Sequence, residues 1–402
     1  MSAVGALAGQ ISAAFGSFAL QILAARTLGA TGLGTFALLY GALIMATALS
    51  SGLIGDTLTV LDRHEPHIRS ALWRVGWTVV TGTSVIGLLL ATHRLSTTGA
   101  VWFALALATF MIEDLGRRLL MATLHFWSLV PVDVLAFVVS MGVLGACALH
   151  GPLQVEQFLA AITIGQAAAT VLAVRLLPAT ERDRIPRVRG GWRPVLGFGL
   201  WRAAQQFVRP TMLNAARAIV LVAAGTAAVG QLEAARILVA PALVMVQGLG
   251  SYLFSSYAAD RHVPTAELRD RADRAALILL GSAVLVGGVA GVVLPMVGGW
   301  LTGGRYTLSL LAVLGWACYA ASVAAVLPYG SLAAVRGRQQ WLLLIRIIDS
   351  VLSLAIAAVA LLVIGTGAAW LPWLLSIGSF VGGLLCRQVL LGAAEQQGRR
   401  AL

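Results

Sequence analysis

Runs of about twenty apolar residues recur from one end of the chain to the other, and nothing else in the sequence restricts the fold so severely. A bilayer core about 30 Å thick is crossed by roughly twenty residues of α-helix. Within it, only helices and closed barrels satisfy their own backbone. The runs have the length of a spanning helix, so the sequence predicts an all-α polytopic membrane protein. Twelve transmembrane helices are expected, over 4–25, 33–61, 75–92, 99–121, 129–149, 157–177, 196–224, 229–258, 275–297, 308–335, 342–364 and 369–391. Composition agrees: 59% of the 402 residues are hydrophobic and only 11% charged, against about a quarter charged in soluble domains.

The formal charge of +12 would point to nucleic acid in a soluble chain. Here the basic residues collect in the connections between spans, so nucleic acid is not an expected partner. Arg63, Arg69, Arg74, Arg117, Arg118, Arg182, Arg193, Arg269, Arg271, Arg274 and Arg336, with others, fall on one side; only Arg26, Arg94 and Arg305 fall on the other. The excess of basic residues marks the cytoplasmic face, which puts both termini in the cytoplasm. The first apolar run lacks a basic leader and is too long for a signal peptide, so it reads as an uncleaved first span. All 28 basic residues are Arg. The absence of Lys excludes a Walker A phosphate loop and Schiff-base catalysis. Cys147, Cys318 and Cys386 show no paired spacing and read as apolar fillers. No metal site or cofactor is expected. The outward connections are short and carry no nucleophile–base arrangement, so the chain is not expected to be an enzyme.

Two echoes indicate an internal repeat. Gly29-Ala-Thr-Gly-Leu-Gly34 after the first span returns as Gly225-Thr-Ala-Ala-Val-Gly230 after the seventh. Asp62-Arg63-His64-Glu65-Pro66 after the second returns as Asp260-Arg261-His262-Val263-Pro264 after the eighth. Both fall at the same topological position, which argues for two six-helix lobes. Lobes with an even number of spans share an orientation and are related by a pseudo-two-fold along the membrane normal. The expected organisation is an N-terminal lobe (1–178), a basic linker (179–195), a C-terminal lobe (196–391) and a cytoplasmic tail (392–402). Gly32-x-Gly34-x-x-Ala37 matches a dinucleotide fingerprint in letters only, because a membrane helix precedes it in place of a strand.

Charges inside spans carry the functional information, because an Arg at mid-bilayer costs about 2.5–3.5 kcal/mol on insertion scales. Arg202, Gln205, Gln206, Arg209 and Arg217 fall in one stripe of the seventh span at 100° per residue, a ladder suited to an anion path. Arg202 can snorkel to the interface, whereas Arg209 sits mid-span before Pro210 and is expected to face a cavity. Arg217 and Arg236 flank the Gly225–Gly230 turn at matching depth, with Glu233 able to pair with Arg236. The substrate-binding candidates are therefore Arg209, Arg217, Arg236, Arg202, Gln205 and Gln206, with Gln21 on a polar stripe of the first span; Glu233 and Asp56 are candidates for ion coupling. Glu113–Arg117 and Asp114–Arg118 read as helix-end pairs, and Arg346–Asp349 as local pairing near the inner end of the eleventh span.

Ala25-Arg26-Thr-Leu-Gly-Ala-Thr-Gly-Leu-Gly-Thr-Phe-Ala37 resembles the opening motif of bacterial polysaccharide-unit flippases. These belong to the multidrug/oligosaccharidyl-lipid/polysaccharide exporter superfamily. Ala227-Ala-Val-Gly-Gln-Leu-Glu-Ala-Ala-Arg-Ile-Leu238 is similar to that family's second-lobe start, and Gly304-Arg305-Tyr306 and Arg336-Gly337-Arg338 to further turns. The resemblance implies a flippase that moves a polyprenyl-diphosphate-linked oligosaccharide across the bacterial cytoplasmic membrane by alternating access. Glycosyltransferases or a polymerase of a surface-polysaccharide pathway are the implied partners. Two alternatives stand beside it: a drug or metabolite antiporter of the same superfamily, and a non-transporting scaffold for glycan-synthesis enzymes.

Overall fold

The computed structural model describes residues 2–182, 188, 190–260, 262–336 and 339–391. Among them every regular element is a helix. The spans are α1 (Ser2–Thr27), α2 (Gly29–Ser50), α3 (Pro66–Ala91), α4 (Thr97–Ala122), α5 (Leu129–Ala148) and α6 (Val155–Leu176). A single run, Trp192–Ala259, is broken at Gly225 into α7 (192–224) and α8 (226–259). Then follow α9 (Thr265–Thr302), α10 (Leu310–Val335), α11 (Gln339–Ala358) and α12 (Leu371–Leu385). Among the described residues, ten helical segments are long and apolar enough to cross a membrane, the broken run counting once, and the apolar part of α1 is Ile11–Thr27. The fold is thus an all-helical, two-lobed membrane architecture.

The helices form two compact units. One comprises Met1–Leu28 and Thr35–Asn214; the other comprises Gly29–Gly34 and Ala215–Leu402. The division falls inside α7, so its first part belongs with α1–α6. In the first unit α3 packs on α4, and α6 on both α4 and α5; in the second α9 packs on α10, and α12 on both α10 and α11. The same order of neighbours recurs six helices later.

The repeat also shows in side-chain detail. Ser140 on α5 donates to Ala161 O on α6 at 3.0 Å. A Cβ at Gly165 would lie 2.1 Å from its Oγ and 2.7 Å from Ala136 O. On α11 and α12, Ser353 donates to Leu375 O at 3.4 Å, and a Cβ at Gly378 would lie 1.9 Å from its Oγ and 2.5 Å from Asp349 O. Serine sits in a glycine notch in both helix pairs, the small-residue contact that lets membrane helices approach closely.

The two Gly-rich echoes meet inside the second unit. Gly29 and Gly225 open them with φ of +69° and +82°, a region glycine enters without a Cβ clash. A Cβ at Gly34 would fall 1.9 Å from Thr226 O, and one at Gly230 would fall 1.8 Å from Ala30 O. The contact is reciprocal, as two-fold-related segments make it.

The described parts of the expected linker are fastened to the first unit. Arg63 pairs with Glu181 at 2.7 Å, Arg69 donates to Glu181 O at 3.0 Å, Ser70 to Val188 O at 2.8 Å and Arg74 to Gly190 O at 3.0 Å. The remaining linker arginines, Arg184, Arg187 and Arg189, and the tail from 392 lie outside the described residues.

Candidate functional site

The polar residues inside the spans gather into separate clusters, each with its own charge balance. The first centres on Asp56. After Ser50 the helix of α2 widens into a π-turn, Ser51–Gly55, and Asp56 caps it. Such single-turn bulges break the regular register and aim a side chain where an α-helix would not. Gly52 lets α7 approach backbone to backbone: a Cβ there would lie 2.3 Å from Ala203 Cα. This closeness brings Arg202 onto Asp56, with Nε and Nη2 at 2.9 and 2.8 Å from Oδ2. Gln206 Nε2 donates to the same oxygen at 2.8 Å. Arg118 Nη1 stands 3.5 Å from Oδ1 and its Nε 3.7 Å from Asp114, which in turn accepts from Ser51. Two acids face two guanidinium groups, so this cluster is neutral.

Arg202 therefore bonds inward to an acid of the neighbouring helix, where the sequence left it free to snorkel. Gln205 accepts from Arg202 Nη1 at 2.7 Å through its oxygen, while its buried Nε2 has no hydrogen-bond partner in the structure. A buried amide donor without a partner costs about 1–3 kcal/mol, which makes Gln205 a residue waiting for an acceptor.

The second cluster lies in the other unit, around the break at Gly225. Arg217 and Glu233 stand equally far before and after that glycine, so the reversal of the chain sets them side by side. Arg217 Nε donates to Glu233 Oε1 at 2.8 Å, and Arg236 Nε to Oε2 at 2.7 Å. Trp316 of α10 fixes the segment by donating to Leu232 O at 2.9 Å. Glu233 is buried, and its two partners nearly so. The sequence anticipated Arg236 as its partner; the structure adds Arg217. Among the described contacts, one carboxylate stands between two guanidinium groups.

Arg209 stands apart from both. It is half-buried in the middle of α7. Of the three arginines in the expected ladder, it is the one for which the described residues supply neither an ion pair nor a hydrogen bond. Gln21 donates to Ser17 O at 3.1 Å within its own helix. A third cluster was not assembled in the sequence reading: Asp133 on α5 takes Arg117 of α4 and Ser12 of α1 at 2.6 Å, with Glu113 4.0 Å from the same arginine. The i,i+4 spacing anticipated the Glu113–Arg117 contact; nothing local could disclose the closer one to Asp133. Among the described residues, no group of three His, Cys, Asp or Glu is placed to hold a metal ion.

Comparison with known proteins places this geometry in a fold. No family model matches the sequence, and no curated protein does. Solved structures match across nearly the whole chain. A multidrug resistance MATE family transporter of the MOP superfamily in its inward-facing conformation superposes with a TM-score of 0.70 at 13% identity, over 98% of this chain and 99% of the other. The outward-facing conformation of such a transporter gives 0.66 at 13% identity, over 98% and 96%. A MOP superfamily transporter from Pyrococcus furiosus, described as having a binding pocket of reverse polarity, gives 0.64 at 12% identity, over 97% and 94%. The chain shares the fold of these transporters.

Proposed function

We propose that this chain is an alternating-access exporter of an anionic substrate, and that the substrate is an oligosaccharide linked to a polyprenyl diphosphate. One observation carries the choice of substrate sign. On α7, Arg209 has no counter-charge among the described residues, and beyond it Arg217 and Arg236 share the carboxylate of Glu233. A guanidinium makes short, charge-assisted and often bidentate contacts with phosphate oxygens. Arg209 is the anchor for the diphosphate in this reading, and Gln205, with its open amide, meets sugar hydroxyls. The alternation of access is drawn from the fold, which solved transporters adopt in inward- and outward-facing forms. The Arg distribution supports cytoplasmic termini, and the flippase resemblance supports a bacterial inner membrane, with glycosyltransferases that assemble such a lipid-linked sugar as partners.

The test is a flipping assay in proteoliposomes with a fluorescent polyprenyl-diphosphate saccharide. Arg209→Ala removes a side chain with no partner among the described residues, so its flipping rate is expected to fall at least about tenfold while the melting temperature stays near wild type. Wild-type flipping by that variant would remove the basis of the proposal.

A drug or metabolite antiporter is the second reading, favoured by the multidrug transporters that share the fold and by an intramembrane acid, Asp56, at a π-turn. There Asp56→Asn abolishes pH-gradient-driven uptake of a cationic dye, and Arg209→Ala leaves it intact. The two readings predict opposite patterns from the same pair of variants.

A further inference from the structure

Arg346 on α11 occupies a place that the first lobe fills differently. Ser140 and Ser353 mark equivalent points of the repeat, and two turns before each stands Asp133 or Arg346. On α5, Asp133 is answered by Arg117 from α4 and by Ser12. On α11, the residue that faces Arg346 from α10 is Gly330, where a Cβ would lie 3.5 Å from Arg346 Nη2. The second lobe has thus replaced an acid with a cation, and put a glycine on α10 where the first lobe has an arginine.

The guanidinium does not simply extend into lipid. Leu343, Ser350, Ser353, Ala357 and Ala360 are buried, and Arg346 continues their stripe at i+3 and i+4 spacing, itself half-buried. Among the described residues it makes no hydrogen bond and has no carboxylate within 4 Å. The nearest acid in sequence, Asp349, acts on Arg346 only through space: Ser350 Oγ donates to its Oδ1 at 3.1 Å, its Oδ2 would stand 2.4 Å from a Cβ at Gly382 of α12, and the guanidinium keeps its donors open toward Gly330. Depth agrees with a headgroup ligand. Arg346 lies about 10 Å along α11 from its cytoplasmic start, within reach of phosphate level. Trp341, 58% exposed, marks that level as interfacial tryptophans do. Basic notches between helices on the cytoplasmic side are where lipid headgroups are recognised.

We infer that Arg346 and the notch over Gly330 form a second anion site, which takes the phosphate of a lipid headgroup from the cytoplasmic leaflet. The site belongs to the second unit alone and does not depend on the transport reading. A phosphodiester of a bilayer lipid and the diphosphate of a prenyl carrier offer the same chemistry, and the experiment separates them.

Full-length protein in non-ionic detergent is titrated with dioctanoyl phosphatidylglycerol and, separately, with farnesyl diphosphate, and equilibrium binding and melting temperature are followed. Titrations are run in wild type and in Arg209→Gln, so that loss of the transport site and loss of this one read apart. At least one probe is expected to bind saturably in the Arg209→Gln background. Adding Arg346→Gln should weaken it about tenfold or more. Gly330→Asp should do the same by a different route, because its Cβ fits at 3.5 Å and its carboxylate neutralises the guanidinium as Asp133 does for Arg117. Gly330→Asp is also expected to raise the melting temperature, which guards against loss of binding through misfolding. Binding of phosphatidylglycerol identifies a bilayer lipid; binding of farnesyl diphosphate alone identifies the carrier. Absence of saturable binding by either probe, or equal binding by the Arg346 and Gly330 variants, overturns the site.

Discussion

At the scale of single residues, the difference between paired and unpaired arginines is what can be tested. Glu233 is buried between Arg217 and Arg236, and removing one partner of a buried ion cluster costs about 3–5 kcal/mol because charge is left uncompensated. Glu233→Gln is therefore expected to lower the melting temperature in detergent far more than Arg236→Gln, which leaves Glu233 its bond to Arg217. Equal effects of the two variants would show that the cluster is not held by its shared carboxylate. The arginines themselves were legible in the sequence as improbable residues in apolar runs. Their partners were not: Asp56 and Arg202 are separated by 146 positions, and no periodicity links residues on helices that meet only after folding. For this reason the ladder of cations read from α7 alone resolves into one neutralised arginine, one shared and one left over. Arg346 and Asp349 do interact electrostatically, as their spacing suggested, but the spacing could not show that the Asp349 carboxylate also packs against Gly382.

At the scale of elements, hydropathy located the twelve spans, since length and apolarity are local properties. It could not tell a turn from a break. The stretch Gly225–Gly230 reads as a turn of several residues, whereas the chain reverses at a single residue, Gly225, and residues 226–230 are already helical. The π-turn at Ser51–Gly55 is equally silent in sequence, although it positions Asp56. Where the two Gly-rich echoes cross, backbone oxygens take the space a side chain would need. Gly34→Ala and Gly230→Ala each force the helices apart, and overpacking of this kind costs about 1–3 kcal/mol. Gly82→Ala meets nothing within 4 Å and should be neutral or slightly stabilising through helix propensity. Thermal denaturation of the three variants checks the contrast; equal melting temperatures would mean that the close crossing is not maintained in the membrane.

For the whole molecule, the duplication was visible from two short echoes and is seen again in helix neighbours and in the serine notches, which share no sequence signal beyond Ser and Gly. The membrane orientation rests on charge, and it has a direct test. In a background without Cys147, Cys318 and Cys386, single cysteines at Glu65 and at Gly303 should react with a membrane-impermeant thiol reagent from opposite sides. Glu65 is expected to label only when the cytoplasmic face is accessible; labelling of both from the outside would refute the assignment.

The serine–glycine notches of α5–α6 and α11–α12 have a thermal consequence. Soluble cores weaken on cooling because their burial removes apolar surface from water, with a large heat-capacity change. Two membrane helices that close over Ser140 and Gly165, or over Ser353 and Gly378, displace lipid tails and leave hydration nearly unchanged. Their association should carry little heat-capacity change, so these pairs hold as firmly in the cold as at growth temperature.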